Sequence, residues 1–214
     1  MDVRYGIVFD LETSGLDKEK CEISQIAAVV VNLETLSLED VDTFEVKIEV
    51  KETPEALEVL KLSSYNTIEW EIEAVSSFYQ ANDMLRKFLS PYTYSFISRK
   101  GYEIKTCFAI GHNIERFDLP FYRSWCDRKQ KWLCPFGFKN IDTLQLSLIY
   151  ETLGFTNFDG KHTLFEIATS LGISYDETKL HDAEYDVGLT SCIFIKMMKD
   201  MKKEGIALYE GNTI

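Results

Sequence analysis

Long hydrophobic runs are missing from this sequence. The longest unbroken apolar stretch is IAAVVV at residues 26–31, far short of the ~20 residues a helix needs to cross a bilayer. A membrane span is therefore not expected. Nor does the N-terminus pair a charged segment with an apolar stretch and a small-residue cleavage site, so the reading is a chain without a secretory signal, at work in the cytoplasm. Cysteines are few: Cys21, Cys107, Cys126, Cys134 and Cys192 form an odd, irregularly spaced set without a C-x-x-C pair. That fits neither a disulfide framework nor a zinc knuckle, and reduced core thiols are expected. Basic residues are also in deficit, 23 Lys and Arg against 35 Asp and Glu, for a net charge of −12. Such a surplus disfavours broad adhesion to a phosphate backbone, so any nucleic acid must be held locally.

What is present is the composition of an ordinary globular protein, 45% hydrophobic and 27% charged, which argues against disorder or a fibrous repeat. With 214 residues and no repeat, low-complexity segment or linker, one domain spanning 1–214 is expected. VRYGIVF at 3–9 and ISQIAAVVV at 23–31 read as adjacent strands parted by the turn-prone TSGLDKEK. DTFEVKIEV at 42–50 alternates Phe44, Val46, Ile48 and Val50 with polar residues, the period of a half-buried strand at or near an edge. Pro54 opens a charged helical stretch, and residues 74–89 repeat apolar side chains at helical spacing. Residues 92–107 carry no decided pattern, whereas CFAIGHN looks like a short strand running into a loop and a helix ending near Arg128.

Asp142 stands where an N-cap would precede TLQLSLIYETLG, which Gly154 would stop. A helix at about 163–172 would close at Gly172, and a last helix is expected over about 182–203. Three strands followed by strand–helix alternation point to a mixed α/β domain.

Three stretches carry carboxylates in places that invite a question. In GIVFDLETSGL, Asp10 and Glu12 lie two apart at the end of a strand, so both project from one face and repel each other. The pair is tolerable when solvated, when one member is protonated, or when a cation lies between them. In GHNIERFDLPFY, Asp118 follows Asn113 by five residues among Ile114, Phe117, Leu119 and Phe121. It is either exposed on the opposite helix face or held for a site, with Pro120 starting or distorting the turn there; His112 and Asn113 are possible caps of that helix. In LHDAEYDVGL, Asp182 as an N-cap would put Asp186 one turn inside the helix and leave His181 on the loop. From the loop, His181 can turn toward whatever Asp186 faces.

FDLETSG, GHNIERFDLPF and HDAEYD, with histidine five positions before aspartate, together resemble the DEDD-superfamily 3′–5′ exonucleases of the histidine branch. That group includes the proofreading epsilon subunit of bacterial DNA polymerase III, oligoribonuclease and the Trex enzymes. The tyrosine branch does not match, since Asp182 occupies the position where its tyrosine would stand. The resemblance runs over residues 5 to 197, with EISQIAAVVVN similar to the family's second strand and NIDTLQLS and TLFEIATSLGI similar to its linker helices. Residues 63–105 match loosely and are the expected place for this chain's own substrate contacts.

The resemblance implies a ribonuclease H-like α/β fold, a mixed central β-sheet flanked by α-helices, and a metal-dependent 3′–5′ exonuclease releasing nucleoside 5′-monophosphates. Asp10, Glu12, Asp118 and Asp186 would be the metal ligands of two divalent cations, Mg²⁺ or Mn²⁺, which suit hard carboxylate oxygens. His181 would take a proton from the attacking water, a task suited to imidazole with its ordinary pKa of about 6.5. Thr13, Leu16 and Asn113 match positions that contact the terminal nucleotide. The implied partners are 3′ ends of nucleic acid, with single-stranded DNA placed ahead of RNA, and a polymerase or other replication or repair protein. Two rivals remain open: an exoribonuclease of the same family, and a non-catalytic end-binding or polymerase-accessory domain. Arg123, Arg128, Lys129 and Lys131 with Trp125 and Trp132 form a basic, aromatic stretch that reads either as a strand-tracking surface or as a solvated helix end.

Overall fold

The computed structural model describes residues 3–38, 42–129 and 134–205. A first hairpin is built by β1 (Tyr5–Thr13) and β2 (Ile23–Asn32), to which β3 (Thr43–Lys47) adds an edge. Helices α1 (Pro54–Leu60), α2 (Thr67–Glu73) and α3 (Phe78–Leu89) follow, then strands β4 (Tyr94–Ile97) and β5 (Glu103–Gly111). The remainder alternates: α4 (Asp118–Lys129), β6 (Phe136–Asp142), α5 (Thr143–Thr152), α6 (Leu164–Ser170) and α7 (Ala183–Lys203).

The strands run in the order β3-β2-β1-β5-β4, with β6 also pairing β5. β1 is antiparallel to β2 and parallel to β5, and β6 is parallel to β5. This is the mixed sheet flanked by helices that the sequence implied.

Alternation along β1 decides what each side of the sheet does. Ile7, Phe9 and Leu11 enter a core shared with Phe78, Leu85, Leu119 and Tyr122, on the side of α3 and α4. Val8 enters the opposite core with Ile193, Phe194 and Met197 of α7. Asp10 and Glu12 continue the Val8 face by the period of two. They therefore emerge on the α7 side, where the strand runs past its apolar cover.

Capping chemistry follows the sequence closely. Thr53 accepts from the N–H of Ala56 with Pro54 in the first turn of α1, and Asp142 accepts from Leu144 N–H at the start of α5. Gly154 and Gly172 take positive φ just beyond α5 and α6. The helix expected from Ala74 begins later, at Phe78, because Val75 forms an isolated bridge with Ile48 and Ser77 supplies the N-cap. The undecided segment 92–107 folds as the β4–β5 hairpin, in which Tyr94 pairs with Thr106 and Ile97 with Glu103. NIDTLQLS is divided rather than wholly helical: Asn140, Ile141 and Asp142 finish β6, and the helix starts at Thr143.

Candidate active site

The site is built where β1 ends and where α4 and α7 begin. Glu12 pairs with Gln25 across the β1–β2 ladder, and the register shifts immediately afterwards, between Glu12 and Thr13. The chain then turns back: the hydroxyl of Thr13 donates to the carbonyl of Gly15, and Ser14 N–H donates to Glu22 O. Gly15 sits at φ 155°, and a Cβ there would stand 2.6 Å from Cys21 Sγ, so the tight reversal requires glycine. Leu16 is left 84% exposed. Thr13 is buried with its hydroxyl spent on the turn, while Leu16 offers a bare apolar side chain beside the acids' end of the strand.

Asp118 opens α4 and is 3% exposed, so of the two readings open for it the buried one holds. Its Oδ1 accepts from the backbone N–H of Leu11 at 3.1 Å, which brings the helix start against the strand between Asp10 and Glu12. Pro120 falls in the first turn of α4, where its missing N–H costs no helical bond. The preceding loop is held by Asp142, whose carboxylate accepts from Asn113 N–H at 2.9 Å and Glu115 N–H at 3.2 Å. Asn113 adopts φ 54°, a conformation asparagine tolerates better than most residues. His112 Nδ1 lies 3.1 Å from Thr143 Oγ1, tying the same loop to α5.

Asp182 caps α7 by accepting from Tyr185 N–H, and its carbonyl accepts from Asp186 N–H. His181 stands exposed outside the helix at φ 64°. Its N–H donates to Asp186 Oδ2 at 3.2 Å, and its carbonyl accepts from Ser64 N–H at 3.0 Å. One ligand atom each from Glu12, His181 and Asp186 lie within 4.8 Å of one another. The structure thus brings at least one carboxylate from each of the three motifs, and His181, to the end of β1.

The electrostatics of this gathering are unfavourable as it stands. Burial, then the charges of Asp118, Glu12 and Asp186, raise the Asp10 carboxyl well above its ordinary range. Burial and the neighbouring Asp186 and Asp118 push Glu12 up to about 9. Burial raises Asp118 to about 8 against the opposing pull of its backbone hydrogen bonds, and Asp186 is raised to about 6. Among the described residues no salt bridge reaches any of the four. Asp186 Oδ1 is buried without a hydrogen-bond partner, a costly state for a carboxylate oxygen. A divalent cation fits this donor set: hard oxygens of one sign converge and one of them is unsatisfied.

No family model matches the chain. Curated relatives do. A PolC-type DNA polymerase III of Mycoplasma genitalium is 26% identical over 200 residues, covering 94% of this chain and 12% of the polymerase. Ribonuclease T of Cronobacter sakazakii is 25% identical over 207 residues, covering 94% of this chain and 84% of that enzyme. The chain therefore spans about an eighth of the polymerase and most of the ribonuclease. Among solved structures, the nuclease domain of 3′hExo, a DEDDh family member bound to rAMP, aligns with a TM-score of 0.69 at 15% identity, covering 99% of this chain and 98% of that one.

The fold is that of the DEDDh exonucleases. A zinc-bound complex of E. coli exonuclease I with single-stranded DNA aligns with a TM-score of 0.68 at 16% identity, over 94% of this chain and 42% of that chain. The resemblance read from FDLETSG, GHNIERFDLPF and HDAEYD is thus met by both sequence relatives and structures.

Of the two readings open for the basic, aromatic stretch, strand tracking is not supported by its described side chains. Trp125 is not a free stacking platform, since it packs against the core and its indole N–H donates to Cys21 O at 3.2 Å. Arg123 donates to Gly137 O and lies over the Phe138 ring; Lys131, Trp132 and the side chains of Arg128 and Lys129 lie outside the described residues. Gln25 is one polar residue in an apolar strand. Only the hairpin register, which sets it opposite Glu12, gives it meaning.

Proposed function

We propose that this chain is a metal-dependent 3′–5′ exonuclease, acting as one domain over residues 1–214, that removes nucleoside 5′-monophosphates from the 3′ end of a nucleic-acid strand. The observation that carries the proposal is the convergence of half-buried Asp10 and Glu12 with buried Asp118 and Asp186 in a cluster that lacks a compensating cation among the described residues. Relatives named for polymerase and ribonuclease activities, and neighbours bound to single-stranded DNA and rAMP, support the reaction class.

In this reading Asp10, Glu12, Asp118 and Asp186 hold two divalent ions, Mg²⁺ or Mn²⁺. Bound there, such ions would supply the positive charge the cluster lacks and electrostatic stabilisation of phosphodiester displacement. The chain's own residues do the rest. His181, exposed at the rim beside Glu12 and Asp186, accepts the proton of the attacking water on its imidazole. The His181 backbone N–H fixes Asp186 Oδ2 and leaves the buried Oδ1 free for the ion. Leu11 N–H does the same for one oxygen of Asp118. Leu16 packs against the terminal base, Thr13 shapes the turn that presents it, and Asn113 adds a further contact to the terminal nucleotide. Single-stranded DNA is the favoured substrate, the cytoplasm the place of action and a replication or repair polymerase the candidate partner.

The test is a time course on matched single-stranded DNA and RNA labelled at the 5′ end, with Mg²⁺ or Mn²⁺ and identification of the released products. Stepwise shortening with release of 5′-monophosphates is expected, faster on DNA. Faster RNA shortening would replace the DNA preference with the exoribonuclease alternative. No release from either strand with either metal would contradict the enzyme itself.

A further inference from the structure

Gln25 is fully buried on β2 and is aligned with Glu12 on β1, so the two side chains leave the sheet on the same face. Its carboxamide is used at both ends. Oε1 accepts from the N–H of Ala183 at 3.1 Å, and Nε2 donates to Oε1 of Glu45 on β3 at 2.8 Å. Ala183 is the first residue of α7, and its N–H is one of the helix donors that intrahelical bonding leaves unpaired. One residue to its N-terminal side is the cap Asp182, two is His181, and three residues beyond it is Asp186.

A buried amide fixed at both ends is a stiff strut. Here it joins the start of α7, which carries Asp186 and is preceded by His181, to the strand pair that carries Glu12. Ser64 N–H braces the far side of the same turn through His181 O. Resting on the exonuclease reading above, we propose that Gln25 is a positioning residue: it sets the gap between Glu12 and Asp186, and hence the cage for the divalent ion, without touching ion or substrate. The bond to Glu45 orients the amide so that oxygen, not nitrogen, faces the helix.

The test compares three proteins by calorimetric titration with Mn²⁺ alone, by thermal unfolding, and by steady-state hydrolysis of a single strand. Gln25→Leu keeps the bulk and removes both bonds. Gln25→Glu combined with Glu45→Gln keeps both, with the bond between positions 25 and 45 reversed in direction. Expected for Gln25→Leu are Mn²⁺ binding weakened at least 10-fold and kcat lowered at least 10-fold, with KM for the strand within threefold of the parent. The double variant returns each value to within threefold of the parent. Unchanged Mn²⁺ affinity in a folded Gln25→Leu protein would overturn the proposal, because a purely structural residue would lower only the unfolding temperature. If Gln25→Leu does not fold, a folded double variant binding Mn²⁺ 10-fold more weakly than the parent would overturn it, and parent-like binding would uphold it. A parent protein that binds Mn²⁺ but cleaves no strand would sink the exonuclease reading and leave the Mn²⁺ comparison to judge Gln25.

Discussion

Two clusters of acids in this molecule are solved in opposite ways. At the β3–α2 contact, Lys47 meets Glu69 and Glu73, with its ammonium 2.7 Å from Glu73 Oε2 and 5.0 Å from the Trp70 ring centroid. Burial alone would lower the Lys47 pKa, but the hydrogen bonds to the two glutamates outweigh it and hold the ammonium above its ordinary value. That cluster carries its own cation and is complete. At the end of β1, four acids meet without one among the described residues, and burial and mutual repulsion raise their proton affinity instead. On the proposed reading the difference separates structure from function: a charge cluster closed by its own chain holds the fold, and one left open receives an ion from solution.

The largest expected effect lies in catalysis. Asp10→Ala removes the acid that feels all three others and should lower the rate of strand hydrolysis at least about 1,000-fold, or about 4 kcal/mol of transition-state stabilisation. Lys47→Met, at the closed cluster, should leave that rate within about threefold. Equal losses in the two variants, measured as kcat/KM on one strand, would erase the distinction.

Stability without metal should move the other way. Asp10→Asn relieves the repulsion that burial and the charges of Asp118, Glu12 and Asp186 impose, and should raise metal-free stability. Lys47→Met should lower it by about 1 kcal/mol or less, since its partners are substantially exposed and screened. Urea unfolding in chelator checks both signs. The pH dependence follows from linkage. Glu12, at about 9, and Asp118, at about 8, bind protons more tightly folded than unfolded. The native state therefore holds more protons from about pH 4 to 9 and loses stability as pH rises through that window. Metal-free protein should melt lower at pH 8 than at pH 6. A smaller effect is expected of Leu16→Ala, a rise of a fewfold in KM with kcat nearly unchanged, as befits an exposed side chain at the rim. A changed kcat with constant KM would remove Leu16 from substrate contact.

How far the sequence was legible depended on whether the deciding forces were local. β1, β2 and β3 announced themselves by β-branched runs and alternation, and Pro54, Asp142, Asp182, Gly154 and Gly172 marked helix ends because capping is settled within a few residues. β6 gave little signal: Phe138 is 93% exposed, and the strand exists because β5 offers it a parallel partner. Asp118 was ambiguous for the same reason, since the partner its buried carboxylate accepts from is Leu11, 107 residues away. Asp10, Glu12, His181 and Asp186 could be named from residue type, order and family resemblance, but not from any one motif. Gln25 could not, because its importance lies in a register that only the folded hairpin defines.

The claim that the β1 acids form an ion cage is tested most directly by titrating metal-free protein with Mn²⁺ at pH 7 in two buffers of different ionisation enthalpy. Saturable binding with release of protons is predicted, because raised carboxyls such as Glu12 and Asp118 must give up protons as the ion enters, and Asp10→Asn should weaken binding at least 10-fold. Absence of saturable binding, or binding that Asp10→Asn leaves untouched, would contradict it.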